Sequence, residues 1–382
     1  MARHYLDHAS TTPLRPEARE AMAAWDATGV TADPGRVHTE GRIARAALEH
    51  AREQVASLFG VRPRQIVLTS GGTEAINAAV WGATRRSPGP VVCSPVEHSA
   101  VRDASSRAAP VVPVGVDRSG TIHPDAVGDA IDRCHSAHGA APSVVHCQFA
   151  NHEVGTVQPV GAVVERCRAA GVVTHVDAVA AAGHVPVDAG QLGADLVSVS
   201  SHKLGGPVGI GALIVGAGLR FDPFVVGGDQ ERARRGGVEN VAAAIGFGAA
   251  CEALAAAGRL GAEQAAAVSH TSRLVHAATG TPGVQVYGDP DHRLPHIVCL
   301  GVDGVGAEPV LVGLDQAGIA VHSGSSCSSE SLAPSPVLEA MGVDGERSLR
   351  LSVGWSTGPE DVDAFAAAFP RVVDALRALG VT

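Results

Sequence analysis

The segment Ser198-Val-Ser-Ser-His-Lys203-Leu-Gly-Gly206 contains the only lysine in a chain of 382 residues. Lys and Arg together number 29, so arginine supplies nearly all of the positive charge. Arginine stays protonated at any working pH, whereas lysine can lose its proton, attack a carbonyl group and form an imine. Two interpretations are open at this point: an imine-forming residue, or a surface lysine without a special role.

Short apolar runs lie on both sides of this segment and alternate with alanine-rich helical stretches. The runs cover residues 65–69, 91–93, 111–114, 143–149, 172–176, 196–200 and 209–215. Continuous apolar character indicates strands that are covered on both faces, as in the mainly parallel sheet of an α/β domain. Residues 73–83 and 160–170 are predicted to be two of the connecting helices.

Beyond about residue 250 the pattern changes. A long helix over 249–279, with a break near Gly258, precedes predicted strands at 283–287, 297–302 and 349–353. This pattern predicts a smaller α+β domain. We therefore expect a large domain at 15–255, and a small domain made of 1–14 and 256–382.

The net charge of −10 argues against direct nucleic acid binding and against docking on an anionic membrane. No signal-like or membrane-spanning apolar run is evident, so we expect a cytoplasmic protein. The seven cysteines are widely spaced and form no CxxC, which indicates neither a disulfide framework nor a zinc site. The histidines lack metal-ligand spacing, and we expect no metal. Cys93, Cys147 and Cys299 lie in apolar runs and are predicted to be buried.

Polar residues follow several of the predicted strands. Gly72 and Thr73 open a helix, where exposed N–H groups can bind an anion. Asp177 ends the strand that begins near residue 172, where open α/β sheets place their ligands. Taken singly, these residues are better explained as a helix cap and a capped loop.

Three further residues sit at strand ends beside or near Lys203. Ser200 and His202 can hold a phosphate group next to it, and His98 can stack on a planar ring and shuttle protons. A lone loop histidine usually has no such role. Combined with an acid for a ring nitrogen and the lone lysine, however, the set indicates pyridoxal 5′-phosphate (PLP), which needs a lysine imine and an acidic partner.

Two motifs in the C-terminal third bear on the chemistry. Cys327 lies in His322-Ser-Gly-Ser-Ser-Cys-Ser-Ser, which has almost no apolar neighbours, so its thiol is predicted to be exposed and available as a nucleophile. Arg350 lies inside a strand pattern, where an arginine is costly unless it is paired. It can grip a substrate carboxylate, or it can pair with a structural acid.

The chain resembles the PLP-dependent cysteine desulfurases of the NifS/IscS-like branch, which have the class V aminotransferase fold. The resemblance runs from Tyr5-Leu-Asp-His-Ala-Ser-Thr-Thr-Pro13 to Leu349-Arg-Leu-Ser-Val-Gly354. It rests on Ser-His-Lys203, His-Val-Asp177 and the long Ser-Gly-Ser-Ser-Cys327 segment. The resemblance implies the PLP-dependent transferase fold type I, a homodimer, L-cysteine as substrate and a sulfur-acceptor protein as partner.

The resemblance also implies a role for each matching residue. Lys203 forms the imine with PLP and moves the α-proton, Asp177 pairs with the ring nitrogen, and His98 stacks on the ring and helps in proton transfer. Cys327 takes the substrate sulfur as a persulfide while L-alanine is released. The remaining positions are implied contacts: to the phosphate from Gly72, Thr73, Ser200 and His202; to the cofactor from His152; and to the substrate from Arg350 and Asn151.

Three positions depart from the family pattern. Ala180 replaces a Gln that bonds the phenolic oxygen of the cofactor, and Val238 replaces a Thr that reaches the phosphate from the second subunit. His152 replaces an Asn. Two lost hydrogen bonds at about 1 kcal/mol each predict looser PLP retention than in typical relatives.

Several functions remain open from the sequence. The whole chain resembles the DndA-type desulfurases that feed DNA phosphorothioation, and the absence of a longer C-terminal tail favours this specialised role. The alternatives are a housekeeping desulfurase for iron–sulfur clusters or tRNA thiolation, another class V enzyme such as an aminotransferase or selenocysteine lyase, or a non-catalytic scaffold.

Overall fold

A computed structural model of the chain describes residues 3–220, 222–323 and 335–380. The strands in chain order are β1 (His4–Tyr5), β2 (Ile66–Thr69), β3 (Val91–Cys93), β4 (Val111–Pro113), β5 (Val144–Gln148), β6 (Thr174–Asp177), β7 (Leu196–Ser200), β8 (Gly211–Val215), β9 (Val284–Tyr287), β10 (Ile297–Val302), β11 (Ile319–Ala320), β12 (His322–Ser323) and β13 (Ser348–Ser352).

The helices alternate with these strands over much of the chain. They are α1 (Pro16–Ala27), α2 (Thr39–Leu58), α3 (Gly72–Arg86), α4 (Ser99–Ala108), α5 (Pro124–His138), α6 (Val160–Ala169), α7 (Ala189–Leu192), α8 (Gln230–Ala233), α9 (Val241–Ala255), α10 (Arg259–Thr279), α11 (Ala307–Gln316), α12 (Pro336–Ala340) and α13 (Pro359–Ala378). Short 3-10 turns lie at Pro63–Gln65 and Ser201–Lys203.

Within the described ranges, one large sheet has seven strands in the order β2-β8-β7-β6-β5-β3-β4. Strands β3 to β7 pair in parallel, and β8 runs antiparallel to both β7 and β2. Each of the seven predicted apolar runs forms one of these strands. The expectation of a mainly parallel, mixed sheet flanked by helices is confirmed.

Strand β2 shows why its apolar run is continuous. Ile66 and Leu68 face the core that contains Leu48 and Val55 of α2, whereas Val67 packs with Ala75 and Ala79 of α3 and its neighbours. A strand with helices on both faces needs apolar residues at successive positions. The parallel register then aligns the strand ends, so that Asp177 lies opposite Gln148 on one side and Ser198 on the other.

A smaller antiparallel sheet has the order β12-β13-β10-β9 among the described residues. Its apolar face packs with α10, α11 and α13 through residues such as Leu300, Leu274 and Phe365. The predicted long helix over 249–279 is instead two helices, α9 and α10, bent by 81°. Gly258 in the left-handed conformation is the N-cap of α10, close to the predicted break.

Helix α8 is a single turn in which Glu231, Arg232 and Ala233 all have positive φ, a strained conformation for residues with a Cβ atom. Glu231 is buried and accepts two hydrogen bonds from Arg52, at 2.6 and 2.8 Å. It also accepts one from the backbone N–H of Leu68 at 2.9 Å. This buried ion pair stabilises the turn against the start of the large sheet.

In the described part of the chain, no single helix is long and apolar enough to cross a membrane. Helices α9 and α10 together have sufficient length and apolar character, but they are bent by 81° at the break between them. No group of three or more His, Cys, Asp or Glu side chains in those ranges is arranged to hold a metal ion. The predictions that Cys93, Cys147 and Cys299 are buried are confirmed.

Candidate active site

A cavity of about 290 Å³ opens at the carboxyl ends of β5, β6 and β7. The predicted residues that line it are Gly72, Thr73, His98, His152, Asp177, Ser200, His202, Lys203 and Arg350. Ala180, where the family has a Gln beside the cofactor, also lines it. The other lining residues were not predicted from the sequence: Ala9, Ser10, Ile76, Gln148, Ala150 and Val179. Most of the residues chosen from scattered motifs therefore meet in one place.

Asp177 is the last residue of β6 and is 7 % exposed. One carboxylate oxygen accepts a hydrogen bond from the backbone N–H of Val179 at 2.9 Å, which fixes the side chain at the strand end. Burial raises the pKa of Asp177, while the nearby His98, His152 and Lys203 act in the opposite direction. A cationic ring placed against this carboxylate would favour its charged form further.

Lys203 ends the 3-10 turn that follows β7. Its ammonium Nζ donates hydrogen bonds to the backbone carbonyls of Ala9 and Ser10, the latter at 2.9 Å. These carbonyls belong to the N-terminal segment, nearly two hundred residues away in the chain. The lysine is therefore held at the wall of the cavity by a segment that also lines it.

The start of α3 presents backbone N–H groups to the cavity. Gly71 is the N-cap, and the N–H groups of Gly72 and Thr73 belong to the first turn, where no intrahelical acceptor exists. A Cβ on Gly72 would lie 2.7 Å from a methyl group of Val179, so only glycine allows this close approach. The hydroxyl of Ser200 is buried and has no hydrogen-bond partner among the described residues. Together these groups form a cradle for an anion.

His98 is the N-cap of α4, and its Nδ1 accepts a hydrogen bond from the backbone N–H of Ala100 at 3.1 Å. An accepting Nδ1 carries no proton, so the neutral ring carries its proton on Nε2. The ring meets that of His152 edge to face, with 5.0 Å between centroids. The imidazole of His98 is thus held in one orientation at the cavity wall.

Behind His98, the carboxyl group of Glu97 is fully buried. It accepts a hydrogen bond at 2.6 Å from the backbone N–H of Gln148, the residue opposite Asp177 in the sheet. Burial, and then the charge of Asp177, raise the pKa of Glu97 to about 8. Near neutral pH, the carboxyl group of Glu97 is therefore mostly protonated and adds little negative charge beside Asp177.

Arg350 reaches the cavity from β13 of the small sheet and is 2 % exposed. It donates to the carboxylate of Asp7 at 3.0 Å, to the hydroxyl of Ser10 at 2.8 Å and to the carbonyl of His152 at 2.9 Å. Both sequence interpretations of Arg350 therefore describe part of its surroundings. The guanidinium is paired with an acid and also faces the cavity.

One predicted residue lies outside the cavity lining, and another falls outside the described residues. Asn151 is fully buried outside the cavity lining, and its amide bonds the backbone of Val96, Glu153 and Val154. Cys327 lies in residues 324–334, outside the described residues. Gln148 lines the cavity but was missed, although it shares with Asp177 the signal of a polar residue at the end of an apolar strand.

Comparisons with known proteins agree with this geometry. Residues 4–365 match the model of the family described as aminotransferase class-V. The chain is 35 % identical over 383 residues to the cysteine desulfurase IscS of Methanosarcina thermophila, covering 98 % of this chain and 92 % of the relative.

Solved structures give the same answer. A NifS-like protein from Rickettsia africae superposes with a TM-score of 0.88 at 26 % identity, covering 97 % of this chain and 99 % of that one. A structure described as SspA in complex with cysteine has a TM-score of 0.78 at 26 % identity, covering 92 % and 99 %. The chain belongs to the class-V aminotransferase family and, within it, to the PLP-dependent cysteine desulfurases of the NifS and IscS type.

The cavity fits the cofactor of this family. Its volume suits one substituted ring, and a buried carboxylate, Asp177, faces it. The unpartnered hydroxyl of Ser200 and side-chain amide of Gln148, both buried, offer hydrogen bonds that the described residues leave unused. The expectation of the PLP-dependent transferase fold type I is confirmed by the structural likeness.

Proposed function

We propose that this desulfurase moves the sulfur of L-cysteine onto Cys327 as a persulfide and then passes it to an acceptor protein. The thiol of Cys327 and one molecule of L-cysteine give the persulfide and one molecule of L-alanine, so atoms and charge balance without an added oxidant. The observation that carries the proposal is the convergence of Lys203, Asp177, His98 and Arg350 on one cavity.

The large-domain residues would hold the cofactor. When bound, PLP supplies the electron sink that weakens bonds at the α- and β-carbons of the amino acid. Lys203 would bind it covalently and later carry the α-proton on Nζ. Asp177 would balance the charge of the pyridinium ring, and His98 would lie against the ring with its mobile proton at Nε2. The phosphate would lie in the cradle formed by Gly72, Thr73, Ser200 and His202.

Three further polar residues support this arrangement. Burial lowers the pKa of His202 to about 4, with the charge of Lys203 adding to the effect, so its ring is neutral near pH 7 and can donate without adding charge. His152 lies against His98 and would contact the cofactor or the substrate. Asn151 would support the substrate side of the cavity indirectly, by fixing the turn that carries His152.

The substrate carboxylate would bind Arg350. The guanidinium already has the carboxylate of Asp7 as a partner, so the substrate would share or displace that contact. A planar, bidentate grip orients the amino acid so that its β-carbon and sulfur project away from β13. SspA, the structurally similar protein solved in complex with cysteine, supports an amino-acid site of this kind.

Cys327 is the strongest candidate for the sulfur carrier. The six other cysteines are all buried, and burial raises the pKa of thiols such as Cys93 and Cys147 well above the usual range. A thiol that stays protonated is a poor nucleophile. The described residues on either side of the Cys327 segment lie near the cavity. His322 of β12 is opposite Arg350 of β13 in the antiparallel register, and the hydroxyl of Ser335 donates to Glu153, the residue after His152.

Replacing Cys327 by Ser tests the carrier. We expect sulfide and persulfide production from L-cysteine to fall to background while the PLP absorbance stays unchanged. The matched control is Ser326→Ala in the same segment, which should retain activity. Unchanged sulfur release by the Cys327→Ser protein would contradict the proposal and favour a lyase that needs no cysteine carrier, such as a selenocysteine lyase. Transfer of the amino group without sulfur release, even in wild type, would favour an aminotransferase.

Replacing Lys203 by Ala tests the cofactor anchor. The purified wild-type protein should show the yellow absorbance of a lysine imine, and borohydride reduction should fix the cofactor on Lys203. The Lys203→Ala protein should lose both signals. A wild-type protein that stays colourless after addition of excess PLP would instead support a non-catalytic scaffold.

For the pathway, we propose delivery of sulfur to the DNA phosphorothioation machinery through a protein acceptor. The support is the departure of Ala180, Val238 and His152 from the common family pattern, together with a net charge of −10 that disfavours direct contact with DNA. The rival is a housekeeping role in iron–sulfur cluster assembly or tRNA thiolation. Capture of protein loaded with ³⁵S-persulfide, followed by identification of the labelled acceptor, decides between them.

We also propose a homodimer whose partner covers the face beside α3. Exposed apolar side chains lie there: Val226 is 77 % exposed and Val238 is 60 % exposed, and the rings of Trp81 and Phe224 touch. An exposed apolar surface of this kind usually marks an interface. Light scattering should give twice the mass of the chain, and Val226→Glu should shift the protein toward the monomer. We also propose, separately from the dimer, that the chain divides into a large domain at 15–255 and a small domain made of 1–14 and 256–382.

A further inference from the structure

The turn that follows Asp177 packs tightly against the turn that carries Lys203. Gly183 has φ +83°, and a Cβ built on it would lie 2.4 Å from the Cβ of Leu204. Only glycine permits this approach. The next residue, His184, places its Nε2 3.1 Å from the backbone carbonyl of Lys203. The segment from Asp177 to His184 thus begins at the acid beside the cavity and ends in contact with the backbone of Lys203.

The direction of this hydrogen bond is fixed by its chemistry. A carbonyl oxygen only accepts, so Nε2 of His184 carries the proton and donates it. Burial lowers the pKa of His184 to about 4, and the neutral ring keeps a lone pair on Nδ1 near pH 7. The bond is therefore one between neutral groups and persists across the physiological pH range.

The ring of His184 is held in place by a second imidazole. It stacks on His296, with 3.5 Å between the centroids and 12° between the planes. His296 is 1 % exposed, and burial lowers its pKa well below the usual value. Two stacked imidazolium ions would repel each other, which also keeps the pair neutral.

His296 connects the stack to the small sheet. It directly precedes β10, and its carbonyl accepts a hydrogen bond from the backbone N–H of Val353 at 3.0 Å. Residue Val353 follows β13, the strand that carries Arg350. The stack therefore lies between the lysine turn of the large sheet and the arginine strand of the small sheet.

We propose that His184 is a positioning residue for Lys203 and that the ring of His296 holds it in the donating orientation. Pinning the carbonyl of Lys203 fixes the direction in which its side chain leaves the backbone. Because the turn that carries His184 directly follows Asp177, this contact also sets the spacing between the pyridine-facing acid and the lysine. The inference deepens the proposed function, since it rests on Lys203 being the residue that binds PLP.

The single lysine makes the proposal testable without turnover. Formaldehyde with cyanoborohydride methylates amines, so in PLP-free protein it marks Lys203 and the chain terminus alone, and peptide mass spectrometry separates the two. The variants are His184→Phe, which keeps a stacked ring without a donor, and His184→Gln, which restores a donor at the position of Nε2. His138→Ala, on the exposed end of α5, is the matched control.

We expect the His184→Phe protein to methylate Lys203 about fivefold faster than wild type, because the loosened turn weakens the bonds from Nζ to Ala9 and Ser10. Imine formation with added PLP, followed by its absorbance, should be about fivefold slower. His184→Gln should recover most of both effects, and His296→Phe, which retains stacking, should resemble wild type. His138→Ala should change neither measurement.

Wild-type rates in both assays for the His184→Phe protein would overturn the proposal. So would an equal defect in the Phe and Gln variants, since that pattern indicates a packing role without a donor. Thermal melting checks that each variant is folded. If PLP does not attach to Lys203 at all, the absorbance assay fails even in wild type, while the methylation assay still tests the contact between His184 and Lys203.

Discussion

The large and small sheets both contribute polar side chains to the cavity, but these side chains differ in the hydrogen-bond partners they already have. At the end of the large sheet, the hydroxyl of Ser200 and the amide of Gln148 are buried without partners among the described residues. On the small sheet, Arg350 already bonds Asp7, Ser10 and a backbone carbonyl. Buried polar groups are nearly always satisfied, so the large-sheet end is built for a resident group.

The small-sheet end is suited to a ligand that comes and goes. An incoming carboxylate meets a guanidinium that already pairs with Asp7, so departure of the ligand restores that ion pair. This difference predicts that changes at the large sheet act on cofactor binding and on every later step. Changes at the small sheet should act mainly on the KM for the substrate.

The largest effect is expected at Asp177. An Asp177→Asn amide cannot balance a protonated pyridine ring, and an unpaired buried charge costs about 3–5 kcal/mol. We expect kcat/KM for L-cysteine to fall by about 10²–10³-fold, with a shifted cofactor absorbance. A loss below tenfold would break the comparison, because the large-sheet end would then not depend on its acid.

The next effect concerns Arg350. Arg350→Lys keeps the charge but loses the planar fork, which predicts a rise of about 10–100-fold in the KM for L-cysteine. The absorbance of bound PLP should not change. Arg347→Lys is the matched control, since Arg347 is exposed and pairs only loosely with Asp344 at 3.6 Å. A colourless Arg350→Lys protein would contradict the division of labour between the two sheets.

The same contrast explains what the sequence could predict. Asp177, Ser200 and Lys203 follow recognisable strands, and the carboxyl ends of neighbouring parallel strands converge on one edge of a sheet. Their meeting is therefore a consequence of local pattern and sheet topology. Gln148 also ends a strand of this sheet, so the same rule could have predicted it.

Contacts between distant segments could not be predicted from the sequence in this way. The Arg350–Asp7 pair joins residues 343 positions apart. The carbonyls that bind Nζ of Lys203 come from the N-terminal segment, nearly two hundred positions away. The stack of His184 on His296 likewise depends on how the two sheets pack. Neither periodicity nor motif spacing encodes these pairings, because each is set by tertiary packing.

A third prediction uses pH to test whether Glu97 is protonated at the large-sheet end. Burial raises the pKa of Glu97 from 4.5 to about 8, so between those values the folded PLP-free protein keeps a proton that the unfolded chain releases. Stability must therefore fall as pH rises through this window. Relative to Glu97→Gln, which cannot ionise, wild type should lose about 2 kcal/mol between about pH 5.5 and about pH 7.5.

Urea unfolding of the PLP-free proteins at both pH values provides the measurement. Glu53→Gln, a change at an exposed position on α2, controls for the loss of one charge. It should leave the pH dependence of wild type intact. Parallel curves for wild type and Glu97→Gln would show that Glu97 ionises with an ordinary pKa, which would contradict the prediction.

The smallest effect is expected at Ala180, which lines the cavity next to the large-sheet end. The family pattern predicts that Ala180→Gln adds one hydrogen bond to the cofactor, worth about 1 kcal/mol or about fivefold in the PLP dissociation constant. Val238→Thr should add a similar amount only where a partner subunit is present. Wild type should accordingly bind PLP more weakly than typical relatives, and a dissociation constant equal to theirs would remove the reason for both substitutions.

The Ala180→Met variant distinguishes an added hydrogen bond from filled space, because Met has a length similar to Gln but no amide. If Met tightens PLP binding as much as Gln does, the large-sheet end lacks filled space and not a hydrogen bond.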